Sequence, residues 1–250
     1  MTKFQGYVPY YALTRPRRMR INSAILAIIF FFVVILICSM LVFAKRADKC
    51  FDKQIFYYVV TMKSKIKIKK ENQDKVKSLG GAGEVLFYKE NFNLVANAYL
   101  SEVNAKDVCG QIKASFENAE VVKVEVKSLS NAVQKKIRQN LSYYKFFQNI
   151  DELIHSLEKL TIDYMLCNVS EGKFMSELIT KKLELETIVK EFENPNKEKF
   201  FEDIKSYANM LILHFDNFFE EFYQSTKKQS FVCGLFVKAT LVKVSLFDNL

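Results

Sequence analysis

The sequence predicts an α+β chain in three parts: a single N-terminal transmembrane helix, a ferredoxin-like βαββαβ domain, then an antiparallel α-helical bundle. Three observations carry that reading. Residues 21 to 44, INSAILAIIFFFVVILICSMLVFA, are 24 consecutive uncharged positions, twelve of them Ile, Leu or Val. Residues 56 to 127 run through short segments rich in aromatic and β-branched residues, punctuated by glycine and polar turns. From residue 131 the apolar positions recur every three or four residues instead.

At about 1.5 Å per helical residue the apolar run reaches roughly 36 Å, longer than the ~30 Å hydrocarbon core of a bilayer. Residues 1 to 20 form a basic stub with Lys3, Arg15, Arg17, Arg18 and Arg20 and no acid, against Lys45, Arg46 and Lys49 after the span. That asymmetry predicts a cytoplasmic N-terminus and extracytoplasmic C-terminal domains, joined to the span by a linker over 45–55. The run is too long for the apolar region of a cleaved signal peptide, and cleavage after Ala44 would leave Lys45 first in the mature chain.

The net charge of +9 divides unevenly along the chain. Residues 1 to 50 hold eight Lys or Arg and one Asp, a balance of +7, while residues 51 to 250 hold 29 against 27, a balance of +2. The basicity therefore flanks the membrane, and nucleic acid binding loses its electrostatic warrant. Five cysteines, Cys38, Cys50, Cys109, Cys167 and Cys233, form no CxxC pair and match neither zinc-ligand spacing nor a dense disulfide scaffold.

Strands are expected at FYYVVTM (56–62), EVLFY (84–88), FNLVANAY (92–99) and AEVVKVEV (119–126). The first two flank a short Lys-rich helix that stops at Gly80-Gly81, where glycine takes the left-handed C-cap conformation without a Cβ penalty. Lys89-Glu90-Asn91 reads as a compact polar turn, and Ser101 as the cap of a helix carrying Val103, Val108, Ile112 and Phe116 at helical intervals. Strand, helix, strand, strand, helix, strand over about 70 residues is the split βαβ arrangement.

The wording of YYVVTM (57–62), GGAGEV (80–85) and FNLVANAYLSEVNAKDV (92–108) resembles the SPOR domain, the sporulation-related repeat of bacterial envelope proteins. Many SPOR proteins share this chain's expected layout of basic stub, one membrane helix and exported domain. The resemblance implies binding of peptidoglycan glycan strands stripped of stem peptides, in cell division or sporulation, on the sheet face opposite the two helices. Alternation puts Asn93, Val95, Asn97 and Tyr99 on the more polar face of the third strand, with Tyr57, Val59 and Thr61 joining them or else Tyr58, Val60 and Met62. Tyr57, Thr61, Asn93, Asn97 and Tyr99 are thus the candidate glycan-binding residues, rings to stack on sugars and amides or hydroxyls to bond their hydroxyl groups. The first strand departs from the family by carrying Val59-Val60-Thr61-Met62 where Gln and Gly are common. The rival reading is an envelope scaffold that has lost glycan binding and docks a protein partner through the bundle.

In the helical part, Val133, Ile137, Leu141, Tyr144, Phe147, Ile150, Ile154, Leu157 and Leu160 step by threes and fours, as do Phe201, Ile204, Ala208, Leu211, Phe215, Phe218 and Phe222. A shorter helix over 173–192 lies between them, with Gly172 and its neighbours as the expected break before it. Residues 230 to 250 read as a fourth bundle helix or as a β-hairpin. A second membrane span is disfavoured by Lys238 and Lys243. Two histidines, His155 and His214, lack metal-ligand spacing, and no nucleophile or phosphate-loop motif occurs, so neither an enzyme nor a cofactor or metal is expected.

Overall fold

The computed structural model of the chain describes Phe31, Val34, Ile35, residues 50–192 and residues 198–250. The chain divides into two compact units, Met1–Arg46 and Ala47–Leu250. Of the first, Phe31, Val34 and Ile35 are helical and exposed. The rest of the expected span and the basic stub lie outside the described residues.

The second unit runs β1 (Gln54–Ser64), α1 (Lys70–Ser78), β2 (Glu84–Tyr88), β3 (Asn91–Tyr99), α2 (Glu102–Ile112), β4 (Glu120–Val126), α3 (Asn131–Arg138), α4 (Leu141–Met165), α5 (Glu171–Lys190), α6 (Lys199–Phe222) and α7 (Lys228–Asp248). The four strands make one antiparallel sheet in the order β2-β3-β1-β4. The fold is therefore α+β, a four-stranded sheet followed by helices. Cys50 and Phe51 are buried, so the expected linker over 45–55 gives way to folded chain by residue 50.

Local chemistry explains the punctuation. α1 ends in a Schellman motif: Gly80 has φ +86°, and the N–H groups of Gly80 and Gly81 donate to the carbonyls of Lys77 and Val76. Gly81 is required for another reason, because a Cβ there would stand 2.6 Å from Cγ1 of Val76. Lys89 and Glu90, both at positive φ, form a two-residue hairpin turn between the paired residues Tyr88 and Asn91. Ser101 and Ser130 cap α2 and α3 by accepting from the N–H groups of Asn104 and Val133.

Two expectations about the helices change. The helix expected to run on from Val133 is broken into α3 and α4 at Asn140, whose extended backbone (φ −117°) makes it the N-cap of α4. Gly172 is no breaker and sits inside the first turn of α5. The chain leaves α4 through Cys167 at φ +58° and enters α5 through Ser170, which caps the Lys173 N–H.

Residues 228 to 248 settle as helix rather than hairpin. Among the described helices α7 is the one long and apolar enough to cross a membrane. It lies in the protein interior instead, packed on β2, β3 and β4 and flanked by α4 and α6, with α5 bridging those two. A helix apolar on every side needs burial on every side, and the sheet on one flank and the bundle on the other supply it. Phe56, Tyr58 and Val95 of the sheet belong to the same core as Phe147, Phe215 and Phe236 of the helices. The change in periodicity near residue 130 marks no break in the core. On the other sheet face, α1 and α2 cover a smaller core built on Val59, Leu94, Tyr99, Val76 and Ala105.

Candidate functional site

A four-stranded sheet with two helices on one side leaves its other face for a ligand only when nothing else packs there. Here α7 packs there, so the expectation of an uncovered face does not hold. The five candidate glycan-binding residues are also not on one face. The pairing of β1 with β3 carries two irregularities: β3 has one residue more than β1 between the pairs Val59–Asn97 and Val60–Val95, and β1 one more than β3 before Met62–Leu94. Two such bulges re-aim the side chains between them, which strict alternation does not anticipate.

Each candidate therefore has its own environment. Tyr57 is half-buried beside the α1–α2 core, near Glu102. Thr61 is buried and donates its hydroxyl to the Leu94 carbonyl at 3.3 Å. Tyr99 is buried in the α1–α2 core and accepts from the Asn97 amide at 2.9 Å, and Asn97 Oδ1 in turn takes the Ala98 N–H. Asn93 is 1% exposed, and its amide nitrogen donates to the carbonyls of Leu86, Tyr88 and Asn91. Its Oδ1 is buried without a hydrogen-bond partner among the described residues.

Two concavities hold three of these residues, Asn97 with Tyr99 in one and Asn93 in the other, while Tyr57 lines a third beside His155. The larger, about 510 Å³, lies where β3, α2, α4 and α7 meet beside the Gly80-Gly81 turn. That volume falls within the range of natural ligand clefts. Asn97 and Tyr99 line it, together with Glu158 of α4 and Asn104, Asp107 and Gln111 of α2; Ile162, Met165 and Phe236 supply apolar wall. Among the described residues no Lys or Arg lines it. Glu158 accepts the Leu100 N–H at 2.7 Å, which ties the residue after β3 to α4. Burial, with lesser contributions from Cys233 and Glu158, holds the Tyr99 hydroxyl above its usual range, and burial pushes the Cys233 thiol up to about 12. Both stay protonated at neutral pH.

The smaller hollow, about 290 Å³, is lined by Asn93 with Lys63, Tyr88, Lys89, Asn91 and Lys123, and by no helix residue. A tyrosine and three lysines thus surround it, of which Lys63 pairs with Glu120, while the orphan Asn93 oxygen is sealed in its wall. His155 and His214 stand in two further hollows, and no group of three His, Cys, Asp or Glu able to hold a metal occurs among the described residues.

Sequence reasoning missed Glu158 and Asp107. Asp107 sits on an exposed helix and carries no signal. Glu158 does carry one: four residues after Ile154 and three before Thr161, it puts a charge on the apolar stripe of α4. Comparison with protein-family models, with curated proteins and with solved structures finds no match to this chain.

Proposed function

We propose that the chain is a single-pass membrane protein of the bacterial envelope that acts as a docking scaffold. Residues 21 to 44 are its anchor, supported by their length and lack of charge, and residues 47 to 250 are its extracytoplasmic body. The βαββαβ order and the sheet order β2-β3-β1-β4 support a ferredoxin-like, SPOR-like reading of residues 54 to 126. One observation favours scaffold over glycan binder: the face such a domain would lay against glycan is occupied by the chain's own α7. Displacing α7 would expose Phe236, Val237 and Leu246, each side chain costing about 1.5–3 kcal/mol to bring into water, so the cover is permanent.

The smaller hollow favours a second reading, in which a sugar lies against the ring of Tyr88, with Asn91 and the lysines around it to bond its hydroxyls. Cosedimentation of residues 47 to 250 with intact and with amidase-stripped peptidoglycan separates the two. The scaffold predicts equal background pelleting with both. Enrichment on stripped glycan that disappears in Tyr88→Ala would replace the scaffold by the glycan binder.

A further inference from the structure

We infer that the 510 Å³ cleft between β3, α2, α4 and α7 receives a basic side chain of a partner peptide, a Lys or Arg with apolar neighbours in sequence. The inference rests on the scaffold reading and names the chemistry of the partner. Charge selects the occupant. Asp107 and Glu158 are the acids that line the cleft, no Lys or Arg among the described residues lines it to neutralise them, and the other polar groups there are uncharged amides and hydroxyls at neutral pH. An anionic ligand would meet two like charges, the exposed Asp107 and the half-buried Glu158, whereas an ammonium or guanidinium would be attracted by both.

The walls select the rest of the ligand. Ile162, Met165 and Phe236 suit the aliphatic stem that Lys and Arg bury behind their charged ends. At the lips stand Leu79 and Leu166, 56% and 66% exposed, two large apolar residues at the rim of a site that already carries polar groups inside. They offer seats for the side chains that flank the basic residue, and this favours a peptide over a free amine. Asn104 and Gln111, exposed along α2, supply amide donors and acceptors for the peptide backbone. Glu158 is already held in place by the Leu100 N–H, so one carboxylate is pre-oriented before the ligand arrives.

The test uses the full chain in phosphatidylcholine nanodiscs and three fluorescein-labelled probes of sequence acetyl-Leu-X-Leu-amide, with X as Lys, norleucine or Glu, read by anisotropy. The lysyl probe should saturate, the norleucyl probe should bind at least tenfold more weakly, and the glutamyl probe should not bind. High salt should shrink the lysyl preference. In the double variant Glu158→Gln, Asp107→Asn the lysyl preference should vanish while the thermal transition stays within a few degrees, since glutamine retains a carbonyl oxygen for the Leu100 N–H. Lysyl and norleucyl probes binding alike, an absence of saturable lysyl binding, or a preference that survives the double substitution would each overturn the inference. Glycan pelleting is a separate readout: it would sink the scaffold reading while leaving a lysyl-selective cleft standing.

Discussion

At the scale of single residues, the unusual backbone positions are where sequence and conformation disagree. Cys167 takes the left-handed place at the end of α4, where the N–H groups of Cys167 and Asn168 donate to the carbonyls of Tyr164 and Asp163 in the same Schellman pattern that Gly80 serves at the end of α1. A Cβ in this conformation costs about 1–2 kcal/mol, part of which glycine's larger unfolded-state entropy offsets. Cys167→Gly is therefore expected to stabilise residues 47 to 250 by about 0.5–1 kcal/mol, seen as a higher urea midpoint at unchanged slope. A lower midpoint would mean that the exposed Cys167 side chain contributes packing that the structure does not show. Lys89 and Glu90 adopt positive φ together without glycine, and Asn91 steadies the turn by donating its amide to the Lys89 carbonyl at 2.8 Å.

At the scale of elements, α7 decides the architecture. Among its polar ties, Ser230 donates to the Gly81 carbonyl at 2.8 Å, Tyr58 donates to Thr240 at 3.1 Å, and Lys243 meets Asp151 of α4 at 2.6 Å. The first two join it to the sheet half and the third to the bundle, so the register of one helix fixes both halves. Phe236 is 1% exposed, lies in the common core and lines the cleft. Truncating it, Phe236→Ala, should cost about 3–5 kcal/mol. Because α7 serves both halves, hydrogen exchange should accelerate together in β3 and in α4. Acceleration in α4 with full protection kept in β3 would show two independently stable domains and contradict a shared core.

At the scale of the whole molecule, titratable groups sealed in the core set the response to pH. Lys243 is 1% exposed, and desolvation pulls its pKa below the ordinary value of 10.5 although Asp151 opposes the shift. Its folded form binds protons less readily than its unfolded form, so this residue favours folding more as pH climbs toward 10.5. Cys233 acts in the opposite sense. Unfolded, its thiol ionises near 9.0; folded, it holds its proton to about 12. The unfolded chain then binds fewer protons across that window, and stability falls by roughly 1.4 kcal/mol for each pH unit above 9. Urea titrations of wild type and Cys233→Ala should therefore converge as pH rises from 8 to 11, the variant losing less by about 2–3 kcal/mol over that range. A constant gap between the two would show that the thiol is not sealed from solvent.

Much of the local structure was legible in the residues themselves. Aromatic and β-branched segments marked all four strands, Gly80-Gly81 and Ser101 marked helix ends, and the three-and-four spacing marked the long helices. Those features depend on interactions within a few residues, which is why they can be read along the chain. The face chosen by each candidate residue could not be. Compensating bulges send Asn93 and Tyr99 to opposite sides of the sheet, and only the paired strand shows where an extra residue falls. The partner of the open sheet face, the burial of Lys243 against Asp151 and the lining of one cleft by both Asp107 and Glu158 join residues far apart in sequence. Each depends on a shared core, and the energy of a shared core belongs to surfaces meeting in space rather than to any stretch of sequence.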